Sequence, residues 1–160
     1  ITVMRKIKKL VATLLAATMV MAMGVTAFAA DSLADGKYTA KQNLYKNSAC
    51  TTTSMGDAAL NDMRAEITIA DDEATLVVHT HEITYLGLTG HLGKMVVNGK
   101  TVTPKQTTTN GVTDYYFTFT GLDASTIYEG CVITGKFTTY VGSMPMNATG
   151  YLKLTDITAK

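Results

Sequence analysis

The chain has 160 residues, with 14 Lys and Arg against 13 Asp and Glu, nine methionines and no tryptophan. That length suits one domain with one core, and the charge balance leaves no basic stripe for nucleic acid.

At the front, Met4-Arg5-Lys6-Ile7-Lys8-Lys9 is a basic segment, and the uncharged apolar stretch 10–25 follows it. Ala27-Phe28-Ala29 then supplies the small-x-small pattern of a signal peptidase site. The expectation is a signal peptide at 1–29, with residues 1–3 upstream of the true start, and one exported domain at 30–160. Four of the 14 basic residues leave with such a leader and none of the 13 acidic ones, so the remainder carries −3 (10 against 13). No second apolar span follows, so the expected location is secreted or cell-surface associated, with no membrane span after cleavage.

The mature chain alternates with period two nearly throughout. Tyr38, Ala40 and Leu44 mark a first strand, with Gln42 breaking the alternation. Ser54 to Leu60 is too short and polar for a strand and reads as one helical turn capped by Ser54. Met63, Ala65, Ile67 and Ile69 alternate with Arg64, Glu66 and Thr68 in the cleanest half-buried strand. Asp71-Asp72-Glu73 is a solvated turn, and 74–83 the next strand. The segment 85–93, with its spaced glycines and leucines, reads as a tight loop with inward apolar side chains. Asn98-Gly99 and Asn110-Gly111 are turn signals. Tyr115, Phe117 and Phe119 share a strand face, 131–140 is a threonine-rich strand, and 151–155 is the last. Seven to eight strands and one helical turn predict an all-β protein, an immunoglobulin-like β-sandwich, with a closed barrel as the alternative.

Enzyme signatures are missing: no nucleophile elbow, no His-Glu-x-x-His and no phosphate loop. The reading is therefore a binding protein and not an enzyme. Met55 sits in the polar run Cys50-Thr51-Thr52-Thr53-Ser54-Met55-Gly56-Asp57, where a core methionine is out of place. Its thioether is a soft donor suited to haem iron. Tyr140, Met144 and Met146 gather near the end of a late strand, and Met144-Pro145-Met146 also has the softness for copper(I). His79 and His81 share a strand face and form a second candidate metal pair, or else a polar strand end. His91, among glycines and leucines, either covers a ligand or is a loop residue satisfied by backbone. Cys50 and Cys131 are a possible disulfide in an exported chain, or two separate thiols.

Four segments then carry a resemblance: Leu33-Ala34-Asp35-Gly36-Lys37-Tyr38-Thr39, Ser54-Met55-Gly56-Asp57-Ala58-Ala59-Leu60, Tyr85-Leu86-Gly87-Leu88-Thr89-Gly90-His91-Leu92-Gly93 and Gly150-Tyr151-Leu152-Lys153-Leu154. Together they resemble the streptococcal cell-surface haem-binding (Shp) family and, more loosely, the NEAT domains of Gram-positive haem uptake. The resemblance implies a NEAT-like sandwich that holds one haem b in a shallow pocket near one end. It implies a bis-methionine iron centre whose first ligand maps onto Met55. The family's second ligand lies in a Val-Pro-Val-Met segment that this chain does not reproduce. An ungapped count puts Tyr140 there, and a short shift matches Val141-Gly142-Ser143-Met144. NEAT domains use a tyrosine of this strand and a second tyrosine four residues on, where this chain has Met144. Met144, Tyr140 and Met146 are thus the candidates for the second iron ligand, and Leu86, Leu88, Leu92 and Tyr151 for contacts to the porphyrin. The implied partners are haem and the surface proteins that donate or accept it. Two other functions fit the residues: an adhesion or glycan-binding sandwich with threonine-rich faces, and a copper or zinc carrier using Met144, Met146, His79 and His81.

Overall fold

The computed structural model describes residues 32–160, and the expected leader lies outside them. Ten strands follow in chain order: β1 (Gly36–Tyr45), β2 (Arg64–Ala70), β3 (Glu73–His81), β4 (Ile83–Tyr85), β5 (Leu88–Val97), β6 (Lys100–Val102), β7 (Lys105–Thr109), β8 (Val112–Asp123), β9 (Val132–Val141) and β10 (Met144–Ala159). The only helical pieces among the described residues are two 3₁₀ turns, Met55–Ala59 and Ala124–Thr126. None is long or apolar enough to cross a membrane.

All strand pairs are antiparallel, in the order β4-β5-β9-β10-β1-β2-β3-β8-β7, with β6 also on β5. β10 joins the two halves. Its first residues pair with β9, Tyr151 to Lys153 pair on both sides, and the last residues pair with β1. One curved sheet thus wraps a single core, giving the all-β, sandwich-like architecture expected. The inward sets are Ala65, Ile67 and Ile69 of β2, Leu76 and Val78 of β3, Phe117 and Phe119 of β8, and Leu152 and Leu154 of β10. Each set follows the period-two rule that places alternate side chains on one face.

Gln42 does not break the alternation of β1. It is fully buried between Ala40 and Leu44. Its amide nitrogen donates to the carbonyls of Leu60 and His79, while its Oε1 is buried without a hydrogen-bond partner.

The 85–93 segment is not a loop. Leu86 and Gly87, at φ 49° and 78°, form the two-residue turn of a β4–β5 hairpin. β7 is wholly exposed, so its Lys-Gln-Thr-Thr-Thr sequence carries no alternation to detect. These short strands raise the count from seven or eight to ten. The last strand starts at Met144, well before 151, because the β9–β10 hairpin continues through Pro145.

Candidate functional site

The Met55 turn is held from three sides. Ser54 caps it as expected, its Oγ accepting from Gly56 N at 3.2 Å. Asp57 is buried, and its Oδ1 accepts from Leu44 N at 2.7 Å and from Asn43 Nδ2 at 3.3 Å. Its Oδ2 accepts from Asn61 Nδ2 at 3.1 Å. Gly56 allows the close approach: a Cβ there would lie 3.2 Å from Leu44 Cδ2 and 3.3 Å from Leu92 Cδ2, with Thr139 Oγ1 at 3.6 Å. Asp57 and Gly56 therefore press the turn onto β1, β5 and β9 and leave Met55, 43 % exposed, at its rim.

Strand register decides which late residues face this turn. Thr139 of β9 pairs with Leu92 of β5 and Met146 of β10. Directly opposed residues of antiparallel strands point to the same side. Val141 pairs with Gly90 and Met144, and Leu88 pairs with Tyr85. Alternation puts Leu88, Gly90 and Leu92 on one face with all of these. Met55, Met144 and Met146 therefore border a common face with Tyr85, Leu88 and Val141, and Gly90 between them is buried against the Tyr140 carbonyl and the Ile83 side chain. Among the described residues eight large apolar side chains are exposed: Met55, Tyr85, Leu88, Met144 and Met146 border this face, and Leu86 stands at the adjoining hairpin tip. An apolar patch of this kind is a candidate binding surface.

Tyr140 is on the other face. It pairs with His91 and Pro145, and its ring stacks on His91 at 5.4 Å between centroids. His91 in turn stacks on Tyr115 at 4.6 Å. A Cβ at Gly93 would lie 2.1 Å from the Tyr140 ring, so that ring lies flat across the glycine. His91 is accordingly a strand residue in an aromatic stack. The candidate ligands Met144 and Tyr140 are separated by this register, and Met146 joins Met144.

The four candidate porphyrin contacts also divide. Leu88 is on the methionine face. Leu86 stands at the hairpin tip, 85 % exposed. Leu92 points to this face but is fully buried beneath Gly56, where it supports the turn. Tyr151 pairs with Thr134 and Tyr45 and alternates with Gly150 and Leu152, so it points away from the Met146 side.

His79 and His81 have other partners. His79 Nε2 lies 2.9 Å from Glu66 Oε2, and its Nδ1 lies 3.3 Å from Asp114 Oδ2. His81 Nε2 lies 2.7 Å from Asp62 Oδ1, and its Nδ1 lies 2.7 Å from the Glu82 carbonyl. Burial pulls the His81 pKa down, but the Glu82 carbonyl and the Asp62 carboxylate outweigh it and leave it above 6.5. No group of three or more His, Cys, Asp or Glu placed to hold a metal ion occurs among the described residues. The cysteines are both free: Cys50 lies in the loop after β1, and Cys131 is buried with its carbonyl accepting from Leu154 N. No Cys50–Cys131 bridge forms. Burial pushes the Cys131 thiol pKa up, which makes it inert.

Tyr85, Val141 and Thr139 were missed as members of this face. The sequence places Tyr85 in a loop, and the other two gain meaning only from the β5–β9 register. The fold and site define an all-β protein with a methionine-bordered apolar face at one end. The chain matches no family model and no curated protein.

Proposed function

We propose that this protein binds one haem b on the methionine face and passes it on, as a secreted or cell-surface haem carrier and not an enzyme. The observation that carries the reading is the register that gives Met144 and Met146 the same face as the Met55 turn. The donor chemistry fits: thioethers are soft neutral ligands for haem iron, and Tyr85, Leu88 and Val141 are suitable apolar neighbours for a porphyrin. In this reading Met55 and Met146 would hold the iron through their sulfurs, with Met144 as the alternate donor. Haem bound this way would supply an iron whose neutral ligands disfavour the ferric state.

The chain's own residues do the rest. Gly56 and Asp57 fix the Met55 turn, Leu92 supports it from below, and the two hairpins offer an open apolar edge. Covering part of a porphyrin there would contribute several kcal/mol at about 25 cal/mol per Å². An open edge leaves the cargo accessible to a donor or acceptor protein. Hemin titration tests the proposal. The expected result is a Soret band that saturates at one equivalent and changes when Met55→Ala or Met146→Ala is introduced. Absence of a saturable band overturns it.

A further inference from the structure

Thioether sulfur is spread unevenly over the molecule. Of the five methionines at 32–160, Met95 is fully buried and Met63 half-buried, while Met144, Met146 and Met55 are exposed by 66, 44 and 43 %. All three exposed ones border the face described above. Met144 and Met146 pair with Val141 and Thr139, and Met55 precedes the Gly56 that packs against Thr139. The fold beneath does not depend on their sulfurs. Asp57 anchors the turn on β1, and main-chain pairing with β9 holds the hairpin.

An exposed thioether is open to two-electron oxidants, whereas a packed one is shielded. Hydrogen peroxide transfers one oxygen to the sulfur: the O–O bond breaks, an S–O bond forms, the sulfur loses two electrons and water leaves. A thiol-dependent sulfoxide reductase reverses the step. Two thiols give up two electrons, close a disulfide and release the sulfoxide oxygen as water. Oxidation thus replaces a soft apolar side chain by a polar hydrogen-bond acceptor. Beside Tyr85, Leu88 and Val141, covering such a group without a partner costs free energy.

We propose that the methionine face is a reversible sulfoxidation site, where peroxide converts Met144 first, then Met146 and Met55, and so closes the face to apolar ligands. Met95, the core sulfur, stays reduced, so the change acts on the surface and leaves the fold intact. The modification rests on exposure and position. Only its effect on haem rests on the reading proposed above.

The test is timed hydrogen peroxide treatment, followed by peptide mass mapping and by titration with the apolar dye anilinonaphthalene sulfonate and with hemin. Met144, Met146 and Met55 are expected to gain oxygen at least about tenfold faster than Met95. Dye and hemin affinity should each fall at least about tenfold, and a methionine sulfoxide reductase with dithiothreitol should restore both. The triple variant Met55→Leu, Met144→Leu and Met146→Leu keeps the apolar volume without the sulfurs, so peroxide should leave its dye affinity unaltered. Cys50→Ser, treated beside the parent, tells thiol oxidation apart. The inference is overturned by equal oxidation rates at all five methionines, by no dye binding to the untreated protein, by unchanged dye or hemin affinity once the three are oxidised, by an equal loss in the leucine variant, or by no recovery with the reductase. Should the untreated protein take up no hemin, the haem reading falls, and the sulfoxide map and the dye decide this inference alone.

Discussion

The two groups of potential metal donors, the methionines at the Met55 end and the histidines of β3, meet opposite fates. Each ring nitrogen of His79 and His81 faces an oxygen acceptor, three of them carboxylates. These oxygens stand where a metal would have to approach the rings. The sulfurs of Met55, Met144 and Met146 belong to exposed side chains that stand where they could meet a flat apolar ligand. Residue type made both groups candidates. Neighbouring residues engage the histidines and leave the methionine side chains exposed.

The sharpest way to break this contrast is to remove donors from each side in turn. In the proposed reading, Met55→Ala with Met146→Ala should weaken hemin at least a hundredfold, about 2.7 kcal/mol, by Soret titration. His79→Ala should leave hemin affinity within about twofold. An equal loss in the His79 variant would undo the distinction.

The turn that presents Met55 gives the next largest effect. Asp57→Ala removes the acceptor of the buried Leu44 N–H, which then lacks a partner. An unsatisfied buried donor costs about 1–3 kcal/mol, so urea unfolding should show a loss of about 2 kcal/mol. Hemin affinity should fall as well, because the turn loses its anchor on β1.

Much of this was legible from the chain. The Ser54 cap, the Met55 turn, the alternation in β2 and β8, and the Asn-Gly hairpins rest on local chemistry, and they appear where expected. The face assignment was not legible. Whether Tyr140 or Met146 shares a side with Met55 depends on parity, and a one-residue change of register reverses it. Parity in β5 is further altered by the irregularity between Leu92 and Lys94. Gln42 looked like an interruption because its partners, Leu60 and His79, lie 18 and 37 residues away. Leu92 looked like a ligand contact because nothing nearby in sequence shows that Gly56 covers it.

The back of the methionine face offers a smaller and more specific test. Gly93→Ala would drive a methyl into the Tyr140 ring, 2.1 Å away before any movement. Such overpacking costs about 1–3 kcal/mol, and the ring would leave its stack on His91. Tyr140→Ala in the same chain removes the collision, so the double variant should lose less than the two single losses combined. Additive losses in the double-mutant cycle would mean that the ring does not lie over the glycine.

The smallest effect concerns the histidine side and depends on pH. The His81 pKa is raised above 6.5 in the folded chain, because the Glu82 carbonyl and the Asp62 carboxylate outweigh the lowering by burial. A group whose folded pKa is raised favours the folded state fully below its unfolded pKa and loses that contribution as pH rises through the folded value. Stability conferred by His81 should therefore be present at pH 6 and decline above 6.5. Asp62→Asn should flatten that decline in thermal melts across the interval, because it removes the carboxylate that helps to hold the proton. The same substitution should leave hemin binding unchanged, since His81 is not a donor in the proposed reading. A matching pH dependence of hemin affinity, abolished by Asp62→Asn, would instead make the two donor groups parts of one site.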